Sequence, residues 1–346
     1  MPPRSRQNPL VREFILRNVA DHPGDIGSLT IKKFGLSRTA INRYMSRLID
    51  EGLITAEGKT KARRYELKNI VEIVFKETNI TRLLDEDVVW RYKLLPEIHD
   101  LNQNIVNICQ YGFTEILNNV IDHSLSDDAV IIYRKNYCQI SLMIIDSGVG
   151  IFNKIKKDFN LTDPRSALLE LSKGKITSDK KRHSGEGIFF TSRIFDRFKI
   201  ASGNLFYQRE RKEEDEWLTE IGDIATYLGG TCVYMEISTD AEWTTRSVFD
   251  AYQDDDLRFR RTHVPIKLGK YPGEQLVSRS QAKRLLARFD QFSEVLLDFQ
   301  SVDDIGQPYA DEIFRVFRNA HPEIRIVTTR TTPNIDKMIE FVTKPA

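Results

Sequence analysis

Cysteine is scarce in this sequence. The chain of 346 residues has only Cys109, Cys138 and Cys232, which are far apart and form no Cys-x-x-Cys pair. This spacing argues against a disulfide framework and against a cysteine-based zinc site. Because free cysteines suit a reducing compartment, we expect a cytoplasmic protein.

Long apolar runs are missing as well. No run approaches the roughly 20 apolar residues of a membrane helix, and the stretch 1–18 has no apolar core of leader-peptide length. We therefore expect no membrane partner. Hydrophobic residues make up 40% and charged residues 29% of the chain, which is typical of a folded globular protein. The length predicts two or three domains.

Two common nucleotide-binding motifs are also absent. Gly174 and Lys175 are followed by Ile176, where a P-loop requires serine or threonine. The chain has no dinucleotide-binding glycine fingerprint either. Any nucleotide site in this protein must therefore use a different arrangement of residues.

The net charge of +1 hides an uneven distribution of charge. Residues 1–68 carry 14 Lys/Arg and 7 Asp/Glu, a net of +7, which leaves −6 for the remainder of the chain. We therefore expect a polyanionic partner at the N-terminal end.

This basic end has the pattern of three helices followed by a hairpin. Helices are predicted over residues 10–21, 28–35 and 38–52, the last of them capped by Ser37. Two strands are predicted around a turn at Gly58. Residue types that contact bases and phosphates project from the third helix and the hairpin: Arg38, Thr39, Asn42, Arg43, Arg47, Lys59, Lys61 and Arg63. Residues 1–68 resemble a winged helix-turn-helix, which implies DNA binding. The alternative is a three-helix module that binds protein.

The stretch "GFTEILNNVIDHS", residues 112–124, has both an apolar and a polar stripe. Its apolar residues recur at helical spacing and predict a face buried in a core. Glu115, Asn119 and either Asp122 or His123 follow one another at one-turn spacing beside that face. A carboxylate and a carboxamide one turn apart can both point at a single ligand, so we predict a binding site along this helix.

Two glycine-rich segments follow. A predicted strand over 140–145 ends in Asp146, with Gly148 and Gly150 behind it, and glycine lets the backbone approach a flat base closely. Gly185 and Gly187 directly precede an apolar helix, whose N-terminus favours an anion. Between them lies a polar segment, about 153–183, for which we predict a mobile lid with cations for phosphates. Those cations include Lys173, Lys175, Lys180, Lys181 and Arg182.

In order and content these pieces resemble the GHKL ATP-binding family, which includes DNA gyrase, histidine kinases and anti-sigma kinases. The resemblance covers roughly residues 100–240. It implies that Glu115 is the catalytic residue that orients or deprotonates an attacking water, that Asn119 coordinates Mg²⁺ on the phosphates of ATP, and that Thr231 assists Asp146 at adenine. The cofactor-binding residues implied by it are Asn119, Asp122, His123, Asp146, Gly148, Gly150, Lys181, Gly185, Gly187 and Thr231.

The rest of the chain reads as a helical connector over 69–100, a linker over 241–261 and a small domain over 262–346. In this last part strand and helix patterns alternate, which predicts a mostly parallel sheet covered by helices. It resembles a divergent STAS domain, the fold of anti-sigma antagonists. Gln307 or Pro308 stands where that family has a phosphorylatable serine. We therefore expect a protein partner or intramolecular docking rather than a phosphoserine switch.

The sequence thus predicts a multidomain α/β protein, with a winged helix-turn-helix over 1–68, a GHKL α/β sandwich over 101–240 and a STAS-like domain over 262–346. The leading hypothesis is a cytoplasmic regulator in which Mg-ATP binding, with slow hydrolysis, controls DNA binding. One alternative is a serine or histidine protein kinase of the anti-sigma-kinase type. Another is a DNA-clamping ATPase that forms a homodimer.

Overall fold

The computed structural model describes residues 8–59, 62–80, 84–98, 100–176, 185–212, 215–220, 229–271 and 273–344. Its strands form three sheets of two, three and seven strands, and helices pack against them. The chain is therefore a multidomain α/β protein, as its sequence predicts. Within the described ranges, no helix has the length and apolar content needed to cross a bilayer.

The N-terminal part is a three-helix unit with a short hairpin. It consists of α1 (Pro9–Asn18), α2 (Ile26–Phe34), α3 (Arg38–Asp50), β1 (Ile54–Glu57) and β2 (Arg64–Leu67). The Ser37 hydroxyl accepts a hydrogen bond from the Ala40 amide over 3.2 Å and caps α3. Val11, Ile15, Ile41 and Leu48 bury their side chains in a core that is separate from the main one. We call this unit the head.

The central part is built on a seven-stranded antiparallel sheet with the order β3-β4-β5-β9-β6-β7-β8. The strands are β3 (Val71–Thr78), β4 (Asp128–Lys135), β5 (Gln139–Asp146), β6 (Arg197–Ser202), β7 (Leu205–Glu210), β8 (Asp215–Glu220) and β9 (Thr231–Ser238). Along β4 and β5 every second side chain is buried, because one face of the sheet is covered by helices.

The prediction of a helical connector over 69–100 is wrong in its first part. Residues 71–78 form β3, which pairs antiparallel with β4 from Val71 opposite Lys135 to Thr78 opposite Asp128. Val71, Ile73 and Phe75 alternate with more exposed residues, which is the period of a strand rather than a helix. Only the second part is helical: α4 (Glu86–Val89) and α5 (Leu95–Ile98) are joined by a π-helical turn over Trp90–Leu94.

Helices of the central part cover the buried face of the sheet. They are α6 (Gln103–Asn119), α7 (Ile151–Asp158), α8 (Pro164–Lys173), α9 (Gly187–Ile194) and α10 (Thr245–Tyr252). The predicted apolar stripe of α6 lies in the main core, where Phe113 contacts Trp90 with ring centroids 5.8 Å apart. This burial fixes the orientation of the polar stripe that runs beside it.

The prediction of a linker over 241–261 is also wrong, because α10 lies within it. Thr244 and Ser247 form a capping box at its start. The ring of Phe249 then packs edge-on against Phe190, with centroids 4.6 Å apart. These contacts make α10 part of the helical layer.

The C-terminal part contains a three-stranded parallel sheet with the order β10-β11-β12. Its elements are β10 (Arg261–Pro265), α11 (Arg279–Leu286), β11 (Glu294–Asp298), α12 (Gln307–Asp311), α13 (Arg318–Ala320), β12 (Arg325–Thr329) and α14 (Pro333–Thr343). A π-helical turn over Glu312–Phe317 makes α12 and α13 nearly continuous. The stretch 266–269, directly after β10, forms a 3-10 turn. The apolar core of this part is continuous with that of the central part.

Candidate functional site

A cavity of about 410 Å³ lies between α6, α7 and α9 at one end of the central sheet. Residues from four distant stretches of the sequence line it. Eight of the predicted site residues are among them: Glu115, Asn119, His123, Asp146, Gly150, Gly185, Gly187 and Thr231. Two other predicted residues, Gly148 and Asp122, are not among the lining residues. Lys181 lies outside the described residues.

The end of α6 carries the carboxylate and the carboxamide. The Asn119 side-chain nitrogen donates a hydrogen bond to the Glu115 carbonyl oxygen over 2.8 Å. This bond uses a donor of the amide and takes no part of its acceptor oxygen. A π-helical turn over Val120–Ser124 follows at once and carries His123 to the cavity. Such turns are often found at functional sites.

Glu115 sits in a partly buried, negatively charged environment. Burial raises the pKa of its carboxyl above the usual value, and the nearby charges of Glu86 and Glu186 raise the pKa further. One wall of this environment is Gly187, where a Cβ atom would lie only 2.0 Å from Glu115 Oε2. A side chain at position 187 would therefore displace the Glu115 carboxylate from its present position.

The other carboxylate of the cavity stands where two strands meet. In the sheet Ile145 is opposite Cys232, so Asp146 and Thr231 end β5 and begin β9 side by side. Asp146 is 6% exposed, and it accepts a hydrogen bond from the Gly148 amide over 2.8 Å. Burial raises the pKa of Asp146, although hydrogen bonds from Gly148 and Thr231 oppose the shift. The Thr231 hydroxyl also accepts the Ile151 amide over 3.0 Å and so ties α7 to this point.

The second glycine segment forms the far wall. The Ile176 amide donates to the Gly185 carbonyl oxygen over 3.1 Å, so these two residues lie side by side. Among the residues that the structure describes, Glu186 at the N-cap position of α9 makes no side-chain capping hydrogen bond to the first turn of this helix.

Two lysines predicted to serve phosphates do not face the cavity. Lys173 is completely buried and pairs with Glu170 over 2.5 Å. Lys175 donates to the Gln291 carbonyl oxygen over 2.7 Å. Both predictions are wrong, because these side chains contact the C-terminal part of the chain. Lys180 and Arg182, predicted with them, lie outside the described residues.

Some lining residues were missed by the sequence reasoning. Lys154 and Asn118 contribute polar groups to the cavity. Lys154 is held by Asp158, its partner one turn later, over 2.8 Å. The sequence contains one indication of this position. Ile151 and Ile155, on either side of Lys154, have helical spacing, and both of them line the cavity. The apolar part of the lining includes Ile144, Ile151, Ile155, Phe159, Leu171, Ile176, Ile188 and Val233.

A second candidate surface lies on the head. All five predicted residues of α3 are exposed, namely Arg38, Thr39, Asn42, Arg43 and Arg47. Among the described residues, no acidic side chain pairs with the three arginines of this set. Lys59 is exposed in the turn of the hairpin, and exposed Arg63 lies over the Tyr65 ring at 5.3 Å. Lys61 lies outside the described residues.

Comparison with known families gives one match. Residues 281–336 match the family described as STAS-like domain of unknown function (DUF4325). The matched stretch runs from α11 through β11 and β12 into α14, so the prediction of a STAS-like C-terminal domain is confirmed. No curated protein and no solved structure gives a match to the chain.

Proposed function

We propose that this chain is a cytoplasmic ATP-dependent regulator. Its central part is a GHKL-type domain that binds Mg-ATP, its head is a winged helix-turn-helix that binds DNA, and nucleotide binding alters the affinity of the head for DNA. The observation that carries the proposal is the single cavity lined by Glu115, Asn119, Asp146 and Gly187, which come from distant parts of the sequence. The STAS-like domain serves as a protein-interaction domain.

The cavity suits an adenine base at one end. Its volume of about 410 Å³ is within the usual range of small-ligand sites, roughly 300–1,000 Å³. Ile144, Ile155 and Val233 provide an apolar slot for a flat ring. Asp146 supplies a buried acceptor at the end of that slot, where an exocyclic amine can donate. A guanine would present a carbonyl oxygen to the same acceptor, so the slot favours ATP over GTP.

The other end suits phosphates and a divalent cation. Magnesium commonly binds through one or two protein oxygens together with phosphate oxygens. The oxygen of the Asn119 amide, which is not used in the bond to Glu115, would be such a ligand. Bound there, the ion would neutralise charge on the phosphates. Amide groups in the first turn of α9 provide further donors. Glu115 stands beside that turn, and its raised pKa suits a group that accepts a proton from water.

A path between the cavity and the head supports the proposed coupling. β5 and β9 have Asp146 and Thr231 at the cavity, and each strand spans about 25 Å. At their other ends the Thr239 amide donates to the Cys138 carbonyl oxygen over 2.9 Å. The neighbouring Tyr137 hydroxyl donates to Glu13 of the head over 2.6 Å.

A second contact at the same place completes the connection. Arg17 of α1 forms an ion pair with Asp240, which follows β9. The Cys138 thiol donates to the Leu16 carbonyl oxygen over 3.3 Å. A shift of β5 against β9 on nucleotide binding would therefore reach α1 directly.

The test is to measure DNA affinity with and without nucleotide. ATP, ADP and GTP are titrated with and without Mg²⁺, and binding of the full chain to DNA is then measured in each state. We expect Mg-ATP to bind most tightly and to change DNA affinity. Unchanged DNA affinity at every salt concentration contradicts the coupling. Transfer of label from ATP to a protein would favour a kinase instead.

A further inference from the structure

The STAS-like domain forms hydrogen bonds with the end of α8 and with the segment that follows it. Lys173, the last residue of α8, is completely buried and donates to the Ala287 carbonyl oxygen over 2.9 Å as well as pairing with Glu170. In the opposite direction, the Thr262 hydroxyl donates to the Lys173 carbonyl oxygen over 2.8 Å. A buried ammonium group needs every such partner, since an unpaired buried charge is strongly unfavourable.

Arg288 makes three of the hydrogen bonds in this contact. It lies just after α11, and its guanidinium donates to Glu170 Oε2 over 3.0 Å. The same guanidinium donates to the carbonyl oxygens of Gly174, over 3.3 Å, and Lys175. One side chain of the STAS-like domain therefore holds both the end of α8 and the backbone after it. Arginine suits this task because its planar group carries several donors in a fixed geometry.

Lys175 extends the same contact in the reverse direction. Its ammonium group donates to the Gln291 carbonyl oxygen over 2.7 Å. It also lies over the rings of Phe292 and Phe259, at 4.7 Å and 5.4 Å from their centroids. The backbone between Lys173 and Lys175 is thus bound to the STAS-like domain from both sides.

The residues on either side of this segment line the cavity. Leu171 and Ile176, which flank it, both line the cavity. Phe159 also lines the cavity, and the Arg288 guanidinium lies over its ring at 5.4 Å. Beyond the segment, the Ile176 amide bonds to Gly185 and so holds the turn before α9. Arg288 itself does not line the cavity, but its partners connect directly to residues that do.

We propose that Arg288 is a positioning residue for the nucleotide site, and that the STAS-like domain completes the wall of that site. This inference rests on the proposed ATP binding. It adds that nucleotide affinity depends on the contact between the two domains. By linkage, ATP strengthens that contact, and a protein partner that draws the 287–292 loop away weakens ATP binding by the same factor.

The test compares Arg288→Ala and Arg288→Lys with Arg284→Ala in the full chain. Arg284 is a matched control, because it also donates to a backbone carbonyl, that of Gly269 over 2.7 Å, and pairs with Glu274. Mg-ATP affinity is measured by calorimetry, KM and kcat by phosphate release, and DNA affinity of the nucleotide-free protein as a check of the fold. Lys175→Met is a second variant, which keeps the aliphatic stem and removes the ammonium group, together with its bond to Gln291 and its contacts with the rings of Phe292 and Phe259.

We expect Arg288→Ala to weaken ATP binding and raise KM by roughly fivefold to tenfold, with a smaller effect on kcat and no change in DNA affinity. Arg288→Lys should recover part of the loss, since it keeps the charge beside Glu170, and Lys175→Met should weaken ATP binding in the same direction. Wild-type ATP affinity in both Arg288→Ala and Lys175→Met overturns the inference, as does an equal loss in Arg284→Ala. If Arg288→Ala does not fold, Lys175→Met decides alone. If the wild-type chain binds no ATP, the proposed function fails, and this inference fails with it.

Discussion

The Val149 amide donates a hydrogen bond to the Ser124 carbonyl oxygen over 2.8 Å. This bond joins the loop after β5 to the turn that ends α6. It holds the segment with Asp146 against the helix with Glu115 and Asn119, so the two ends of the cavity have a fixed separation. Close packing at Gly148 maintains the contact, because a Cβ atom there would lie 2.0 Å from the same Ser124 oxygen.

Gly148→Ala should therefore force the loop away from α6. We expect a loss of about 1–3 kcal/mol in the free energy of unfolding, as for other overpacked sites, together with weaker nucleotide binding. Denaturant unfolding and calorimetry measure the two effects. Gly24→Ala is the control, because nothing lies within 4 Å of its added Cβ. Equal behaviour of the two variants would show that the close contact has no functional importance.

Asn119→Ala and Glu115→Gln should separate binding from hydrolysis. Loss of the amide oxygen is expected to weaken Mg-ATP binding by about tenfold or more. Glu115→Gln should keep most of the binding and lose about a hundredfold or more of turnover, since a carboxamide does not accept the proton of water. Calorimetry and a phosphate-release assay measure these effects. Full turnover in Glu115→Gln would remove the proposed role of that residue.

The rate of ATP hydrolysis should depend on the ionisation of Glu115. Burial and the charges of Glu86 and Glu186 raise the pKa of Glu115. The ascending limb of the pH–rate profile should therefore lie above the usual carboxyl pKa of 4.5. Glu86→Gln removes one neighbouring negative charge, which favours the ionised form and moves that limb to lower pH. The pH–rate profiles of the wild type, Glu86→Gln and the control Glu97→Gln test this. A limb that does not move in Glu86→Gln contradicts the assignment.

The exposed arginines of α3 should govern DNA binding. Arg43→Ala combined with Arg47→Ala is expected to lower DNA affinity and to reduce the slope of log affinity against log salt by about one for each lost phosphate contact. Arg325→Ala is the control, because Arg325 is also an exposed arginine and lies on β12 of the STAS-like domain. Retention of both the affinity and the slope in the double variant would indicate that the head binds protein instead.

The stability of the STAS-like domain should depend on Asp298. Burial alone would raise its pKa, but hydrogen bonds from His263 and Arg330 outweigh this and lower the pKa to about 2, from 3.8. Its stabilising contribution, about 2 kcal/mol, is therefore present above about pH 4 and is lost as the pH falls towards 2. Asp298→Asn should lower the free energy of unfolding by that amount at neutral pH, and in acid this free energy should change less with pH than in the wild type. Urea unfolding measures both effects. The exposed Asp303→Asn should change neither.

Local chemistry explains why much of the cavity was predictable. The spacing of Glu115 and Asn119 follows from the period of a helix, and glycines directly after a strand indicate a turn at its end. Both features depend on a few neighbouring residues, so the sequence is sufficient to detect them. Their meeting in one cavity required the family resemblance, because no local rule brings residue 115 beside residue 187.

The errors arose where distant contacts decide the structure. β3 is an edge strand whose alternation is blurred by exposed Val74, and it is stabilised by pairing with β4, more than 50 residues later along the chain. Lys173 lies in a polar stretch that is typical of a surface. Its burial depends on Ala287 and Thr262 of another domain, and a local pattern has no information about these partners.

Calorimetric titration of the purified wild-type chain with Mg-ATP tests the central claim most directly. The account predicts saturable heat at a single site, with weaker binding of GTP because Asp146 accepts a hydrogen bond from the exocyclic amine of adenine. No saturable heat at millimolar ATP would contradict it.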